Sequence, residues 1–489
     1  MHTTVVSLLP SLCRGKQLPQ DRCKLSMASR KQPAAQLHVL TPELAPLMLI
    51  DMLHMVPSMF VTMPADVRKV LLTTSSAFCK HIHDTATELT AHKEEIPLLL
   101  RGNWMALERL TLTDGHCGQN KAPAFGWHQL SWASWSCLTR LSLSDCQVGA
   151  TAVGHLVKGD WPHLESLDLS NNHLTVSCIS LLTTAKWPQL SRLDLSKCKP
   201  DGAATAKLVH GNWLCLQELC LSHNQLDVAA LGVLAEGNWP VLKGLYLAGN
   251  NIGGPGHLQV LDLPWPGLEH LDLSNNSCKQ PSRSFHWGKG LLPAILQAQW
   301  VQLRHLGLCD QKHEIDAHAM SWLSKGDWPN LTHLSLNESV HYEDASESMA
   351  HLVQGSWPQL KVLRLLSLFG YSDTASCMHW DEAEILSRGL WPQLRHLDLS
   401  GNGMNGKCVL MVTKGQWPML QVLKLRGNLL NSKKDIARLV QGEWPMLWEL
   451  DLSCNSAKVE FDAVAADVRV KQAFPLLQFV NGRMWMERE

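Results

Sequence analysis

Three histidines stand inside one recurring phrase: Leu-Glu-His-Leu-Asp around His270, Leu-Arg-His-Leu-Gly around His305 and Leu-Thr-His-Leu-Ser around His333. Imidazole is the side chain that changes charge near neutral pH and the commonest metal ligand. Three of them brought side by side could titrate together near pH 6, hold a metal, or form a solvated row. His396 sits in the same phrase, and Asp168, Asp194, Asp272, Asp398 and Asp451 recur two residues after the equivalent position. The Leu-Asp-Leu-Ser wording around these acids repeats so often that they read as consensus of a repeat before they read as a site. Catalytic signatures are missing: there is no P-loop, no GxSxG and no GxGxxG opening a helix. His313 and His318 flank an acidic pair in a zinc-protease-like string, but five residues separate them and a helical metal pair needs four. No catalytic, cofactor-binding or metal-ligating residue is expected.

What positions the histidines is a repeat, and it has to be found before any local motif is weighed. With Trp161 as zero, leucines fall at +3, +6 and +8, Asn172 at +11 and Leu174 at +13. The offsets return from Trp213, Trp239, Trp391 and Trp417. Marks lie at 104, 135, 161, 187, 213, 239, 265, 300, 328, 357, 391, 417 and 444, with Phe474 in the last place, and five successive intervals equal 26. Leucines at +6 and +8 alternate with polar residues at +5 and +7, the period of a strand with one buried face. Small residues at +17 (Ala152, Cys178, Ala204) and apolar ones at +21 (Leu156, Leu182, Leu208) predict a short helix lying close to that strand. Gly stands two residues before the mark in nine units, where a left-handed helix C-terminus is expected, and Pro follows Trp in nine. Thirteen of the 20 tryptophans occupy the mark, so they read as a structural column and not as a ligand site.

These residues resemble the leucine-rich-repeat family, in its ribonuclease-inhibitor-like form, over about 390 of the 489 residues. The resemblance implies an α/β solenoid, a curved parallel sheet on the concave side and short helices on the convex side. It also implies that Asn at +11 hydrogen-bonds the backbone of neighbouring turns. Cys146 and Cys198 replace that Asn and can do part of its work. Gln311, Ser339 and Leu368 also replace it, and less regular turns are expected there. The string Gly253-Gly254-Pro255-Gly256 is expected to make one convex side irregular.

The expected organisation is a basic tail over 1–35, a helical module over 36–92, a solenoid of about thirteen units over 93–482 and a tail over 483–489. Six cations face one acid in the first 35 residues, which suits a disordered tail, with a transit peptide as the other reading. Residues 36–92 read as short helices separated by prolines, the last ending near Thr90. Leu40-Thr41-Pro42-Glu43-Leu44 and Ser75-Ser76-Ala77-Phe78 resemble a divergent F-box. That resemblance implies a Skp-type adaptor as partner and a role as substrate receptor of a ubiquitin ligase; a cap over the open end of the solenoid is the alternative. A net charge of -1 gives no basic face for nucleic acid. No run of 18 apolar residues exists for a membrane span, and fifteen scattered cysteines without a CxxC pair suit reduced thiols in the cytoplasm or nucleus.

Thirteen strands would make a face of roughly 60 Å, too long for a metabolite and suited to a protein partner. Its side chains at +5 and +7 include Tyr246, His270, Asp272, His305 and His333. The long intervals add aromatics outside the repeat rule: Phe285 and Trp287 in one, Tyr371 and Trp380 in another, Phe125 and Trp127 in the first. They read as projecting anchors for a partner or as rings covering an exposed edge of core. The expected function is non-enzymatic protein binding; a stand-alone scaffold or inhibitor is the second reading. A regulator of small GTPases is the third, disfavoured because the chain ends in Asn481-Gly482-Arg483-Met484-Trp485 and not in an acidic tail.

Overall fold

A computed structural model describes residues 86–93, 104–113, 127–133, 135–200, 202–252, 264–276, 300–311, 315–340, 342–368, 377–456, 464 and 467–484. Among them sixteen strands form one sheet whose spatial order is the order of the chain. The strands are β1 (Glu88–His92), β2 (Arg109–Thr113), β3 (Arg140–Ser142), β4 (Ser166–Asp168), β5 (Arg192–Asp194), β6 (Glu218–Cys220), β7 (Gly244–Tyr246) and β8 (His270–Asp272). The row continues with β9 (His305–Gly307), β10 (His333–Ser335), β11 (Val362–Arg364), β12 (His396–Asp398), β13 (Val422–Lys424), β14 (Glu449–Asp451), β15 (Phe479–Val480) and β16 (Arg483–Met484). Every pair is parallel except the last, a terminal antiparallel turn-back.

The leucines at +6 set the register. Leu245 lies opposite Leu271, Leu271 opposite Leu306, and Leu363 opposite Leu397, although the intervals between their marks are 26, 35 and 34. The extra residues of the long units are therefore looped out, and the sheet does not feel them. Leucines at +3, +6 and +8 are fully buried, as at Leu164, Leu167 and Leu169. Across from the sheet lie helices of six to eight residues, such as Ala150–Leu156, Val176–Leu182 and Gly406–Val412. Helices this short are marginal alone and hold by burying one side. Ala152, Val153 and Leu156 do so in the first, and Cys178, Ile179 and Leu182 in the next.

All thirteen marked tryptophans are at most 2% exposed. Trp135 stacks on Trp161 at 6.1 Å, Trp239 on Trp265 at 6.4 Å and Trp391 on Trp417 at 6.3 Å, and Phe474 continues the column on Trp444 at 6.1 Å.

Several expectations are corrected. The sheet starts at Glu88–His92, so the helix ending near Thr90 is a strand, and the boundary at 93 moves upstream: Leu89 and Ala91 alternate inward and pair with β2. At the other end Arg483–Met484 forms β16, two residues into the expected tail. The thirteen marked units each carry one strand, β2 to β14, and β1, β15 and β16 bring the count to sixteen. The glycine before each mark is not a left-handed cap. The helices end in right-handed residues such as Val157 (φ -68) and Ala235 (φ -62), and among the described residues none of these glycines has positive φ. Glycine is there because the indole lies against it: a Cβ on Gly159 would come within 2.6 Å of the Trp161 ring, and on Gly237 within 2.7 Å of Trp239. Three units carry the next smallest residue, Ala133, Ala185 and Ala298, at this place, and the unit of Trp265 carries Leu263.

The left-handed residue lies instead at +10, in twelve units. Asp145, Asn171, Lys197, His223, Gly249, Asn275, Asp310, Glu338, Ser367, Gly401, Gly427 and Cys454 all have φ between 46 and 69. It turns the chain out of the strand so that the +11 side chain points inward. Asn172 then accepts from the Cys146 and Val148 amides at 3.2 and 2.8 Å and donates to the Leu143 and Leu169 carbonyls at 2.9 and 2.8 Å. Units lacking Asn keep this turn, contrary to expectation. Gln311 reproduces the pattern with its longer amide, accepting from Asn276 N at 3.0 Å and donating to Leu273 O at 2.7 Å. Cys146 and Cys198 donate Sγ–H to Leu112 O and Leu169 O, and Ser339 donates to Leu308 O. Residues 253–256 lie outside the described residues.

Two outcomes follow in urea unfolding. Asn250→Ala should cost about 2–3 kcal/mol, because it strands amides and carbonyls that are buried. Lys197→Gly should raise stability by about 1 kcal/mol, because glycine adopts the left-handed backbone without the Cβ penalty.

Candidate functional site

On each strand the +5 and +7 side chains leave the core side, so one polar face runs the length of the sheet. The +4 and +9 residues border it. Its histidines are set by register: His270 pairs with His305 and His305 with His333 across β8, β9 and β10. The rings stack face to face, at 4.1 Å and 15° for the first pair and 4.0 Å and 20° for the second. Val362 then intervenes, and His396 follows on β12.

Imidazole lone pairs lie in the plane of the ring, so near-parallel rings direct them into separate planes and do not converge them on one ion. Among the described residues no group of three or more His, Cys, Asp or Glu is arranged to hold a metal. Titration near pH 6 is also displaced. Burial, then the neighbouring His333 and His270 rings and Arg304, push His305 down to about 4. Burial and Lys424 push His396 down to about 4, with Asp398 opposing. His333 is lowered by burial, Arg364, His270 and Lys361. His305 Nδ1 and His396 Nε2 are buried without a hydrogen-bond partner, which suits an unprotonated nitrogen. At neutral pH these three imidazoles are uncharged.

The remaining expected residues are distributed as follows. Asp272 lies on β8 beside His270 and accepts from Ser274 N at 3.0 Å, as Asp168, Asp194, Asp398 and Asp451 accept from the serine two residues on. That shared turn explains the repeated Leu-Asp-Leu-Ser phrase. Tyr246 on β7 is half-buried, its ring folded over Gly244, where a Cβ would meet it at 3.0 Å, and burial raises its pKa. Cys220 is buried beside it, and burial pushes its thiol up to about 12. Phe285, Trp287 and Tyr371 lie outside the described residues, as does Phe125. Trp380 is not in a projecting loop: it opens the helix Trp380–Ser387, capped by His379 and Glu382, and is 53% exposed among the helices and not on the strand face. Trp127 opens a 3-10 helix and packs, partly buried, against the core.

Charge along the face is divided, which sequence reading missed. Over the +4, +5, +7 and +9 rows of β2 to β8 there are four cations against seven acids. Over the same rows of β9 to β13 there are six cations, Arg304, Lys361, Arg364, Arg395, Lys424 and Arg426, against Asp398 alone. The first part is neutralised laterally: Arg109 pairs with Glu88, Arg192 with Glu218, and Lys243 and Arg304 both with Glu269, at 3.6 and 3.1 Å. In the second, Lys361, Arg364, Arg395 and Lys424 make no ion pair among the described residues. The signal was present in the sequence, and could have been found by summing charge along each repeat offset instead of along the chain.

The histidines give a pH prediction. The unfolded state takes up protons below about pH 6.5, while His305 and His396 in the folded state resist until about pH 4. Stability is therefore complete above pH 6.5 and falls as pH drops through that window. A His305→Leu, His396→Leu variant should lose less of its urea midpoint between pH 6.5 and 4 than the parent.

A family profile described as Leucine Rich Repeat matches residues 163–184. No curated protein matches. Solved structures do. One is the mouse RP105/MD-1 complex, at 16% identity over 77% of this chain and 60% of that one, TM-score 0.39. Another is an internalin (inlF) from Listeria monocytogenes, at 15% identity over 84% and 92%, TM-score 0.35. A third is the TLR13–ssRNA13 complex, at 15% identity over 77% and 62%, TM-score 0.36. This chain thus spans less than two thirds of the first and third of those chains. The profile covers one unit, that of Trp161, and the other twelve marked units repeat its spacing and its strand register. The fold is that of a leucine-rich-repeat solenoid.

Proposed function

We propose that the chain is a non-enzymatic receptor that holds a protein partner along its concave face. The observation that supports this is the face itself: a continuous row of outward side chains on parallel strands, roughly 70 Å long at about 4.8 Å per strand. A surface of that length matches the footprint of another macromolecule and exceeds that of a metabolite. Tyr246, His270, Asp272, His305 and His333 are its proposed contact residues, with Phe285, Trp287, Tyr371 and Trp380 as anchors outside it. The buried, protonated Cys220 and the turn-bound aspartates have structural duties, which agrees with a binding role and not a catalytic one. Among the described residues no helix is long and apolar enough to cross a membrane. Ten free cysteines there accord with a cytoplasmic or nuclear location.

Residues 36–92 are proposed, on their resemblance to an F-box, to recruit a Skp-type adaptor. The chain would then be a substrate adaptor of a ubiquitin ligase, with the solenoid choosing the target. A second reading has one observation in its favour: the end of that segment, Glu88–His92, is the first strand of the sheet. A stand-alone scaffold whose first residues only cap the array would use it in the same way.

Deleting residues 1–85, which leaves β1 in place, separates the two. If the adaptor role holds, the truncated chain keeps its urea midpoint and partner and no longer recovers a Skp-type adaptor in a pulldown. If the full, folded chain recovers no such adaptor and the truncation only lowers the midpoint, the cap is the whole role.

A further inference from the structure

The five strands β9 to β13 carry a cationic island with no counterpart elsewhere on the described face. Arg364 and Arg395 are exposed, Lys361 and Lys424 half-exposed, and none of the four has an ion-pair partner among the described residues. Among the described residues Arg426 reaches only Ser453 Oγ, at 3.0 Å. Beside these cations, on β9 and β10, lie His305 and His333, and among them, on β12, lies His396, all three uncharged at neutral pH and half-buried. The island is therefore a cationic area on β11 to β13 with a flat floor of stacked rings along its β9–β10 side. One acid, Asp398 on β12, lies inside it opposite Arg364 and Lys424, and acids close it at both ends, Glu269 and Asp272 at β8 and Glu449 and Asp451 on β14. Asp310 and Glu338, in the turns after β9 and β10, border one edge.

We propose that this island is the docking site for an acidic, extended segment of the protein partner. The inference rests on the concave-face reading above and adds the chemistry of the partner. Four cations left unpaired on one small area repel one another and gain by meeting carboxylates, whose guanidinium contacts are bidentate and strong. The island spans about 20 Å, four strand spacings. A polypeptide can confine its acids to such a length. A nucleic-acid strand cannot, because its phosphates continue at every nucleotide and would run onto Glu269 and Asp272 or Glu449 and Asp451. The chemistry that fits is therefore a short run of Asp or Glu, with apolar or aromatic side chains among them to lie on the imidazoles.

Fluorescence anisotropy on the full chain tests this, with a fluorescein-labelled Glu-Ser repeat peptide as probe and its Gln-Ser counterpart as control. The Glu-Ser peptide is expected to bind and the Gln-Ser peptide not, and affinity should fall about tenfold between roughly 0.05 and 0.2 M salt. An Arg364→Ser, Arg395→Ser variant, checked for unchanged circular dichroism, should bind about tenfold or more weakly. Arg140→Ser, an exposed arginine on β3 outside the island, should bind as the parent does. Equal binding of the two peptides, equal loss in Arg140→Ser, or no binding at low salt overturns the assignment. So does a single-stranded RNA oligonucleotide that binds through Arg364 and Arg395 while the Glu-Ser peptide does not. A cellular partner crosslinked to the chain, lost on Tyr246→Ala and kept by the double arginine variant, would overturn the acidic-segment assignment alone and leave the concave-face reading standing.

Discussion

The fold depends on a contact between a flat ring and a residue with almost no side chain. In eight described units the marked indole lies against the glycine two residues before it, closer than a Cβ allows, and three pairs of neighbouring indoles stack on one another. The glycine ends the helix and the indole starts the approach to the next strand, so one contact fixes the helix to the sheet within a unit. Stacking at 6.1–6.4 Å then fixes unit to unit. The ring's area matters more than its polar edge. Trp417 donates its Nε1–H to Gly389 O at 3.1 Å, but in Trp161, Trp213, Trp239 and six others the buried N–H has no partner. Phe474 fills the last place with no N–H at all. A repeat that accepts this cost of unpaired donors does so for the packing.

With the spacing fixed there, the strand can be three residues long and still hold register across intervals of 26 to 35. The +10 residue and the Asn column complete the turn, passing hydrogen bonds from one unit to the next. Apart from the +7 aspartates that bind the turn, the outward positions are thereby largely released from structural work and can vary. What varies is charge, which is paired laterally on β2 to β8 and left unpaired on β9 to β13. The stacked imidazoles sit where those two regimes meet. Of these, His305 and His333 stay neutral because burial and the nearby cations both resist a further positive charge.

Much of this was legible in the sequence. The Trp marks, the Leu offsets and the small residue at +17 are each required by packing, so they recur and can be read. The glycine before the mark was legible as a requirement but not as to its cause. Left-handed backbone and close approach of a ring both select glycine, and only coordinates separate Gly237 from Gly249. The +10 turn was invisible, because Lys197, His223, Glu338 and Cys454 occupy it as well as Gly and Asn; the surrounding ladder enforces the conformation on any side chain. The first strand was missed because Glu88–His92 follows no tryptophan. Of the expected site residues, those on the strands were placed by the period, while Trp380 belongs to a helix that the long interval disguised. The divided charge of the face escaped notice because a net charge of -1 averages it away.

The central claim is that an indole packed on a glycine needs that residue to be minimal in size. Urea unfolding of Gly237→Val, followed by tryptophan fluorescence, tests that directly. Two γ-carbons forced toward the Trp239 ring, where even a Cβ would stand at 2.7 Å, should cost about 1–3 kcal/mol or more and lower the midpoint, with Gly237→Ala falling between. A valine variant whose midpoint and indole emission match the parent would contradict the account.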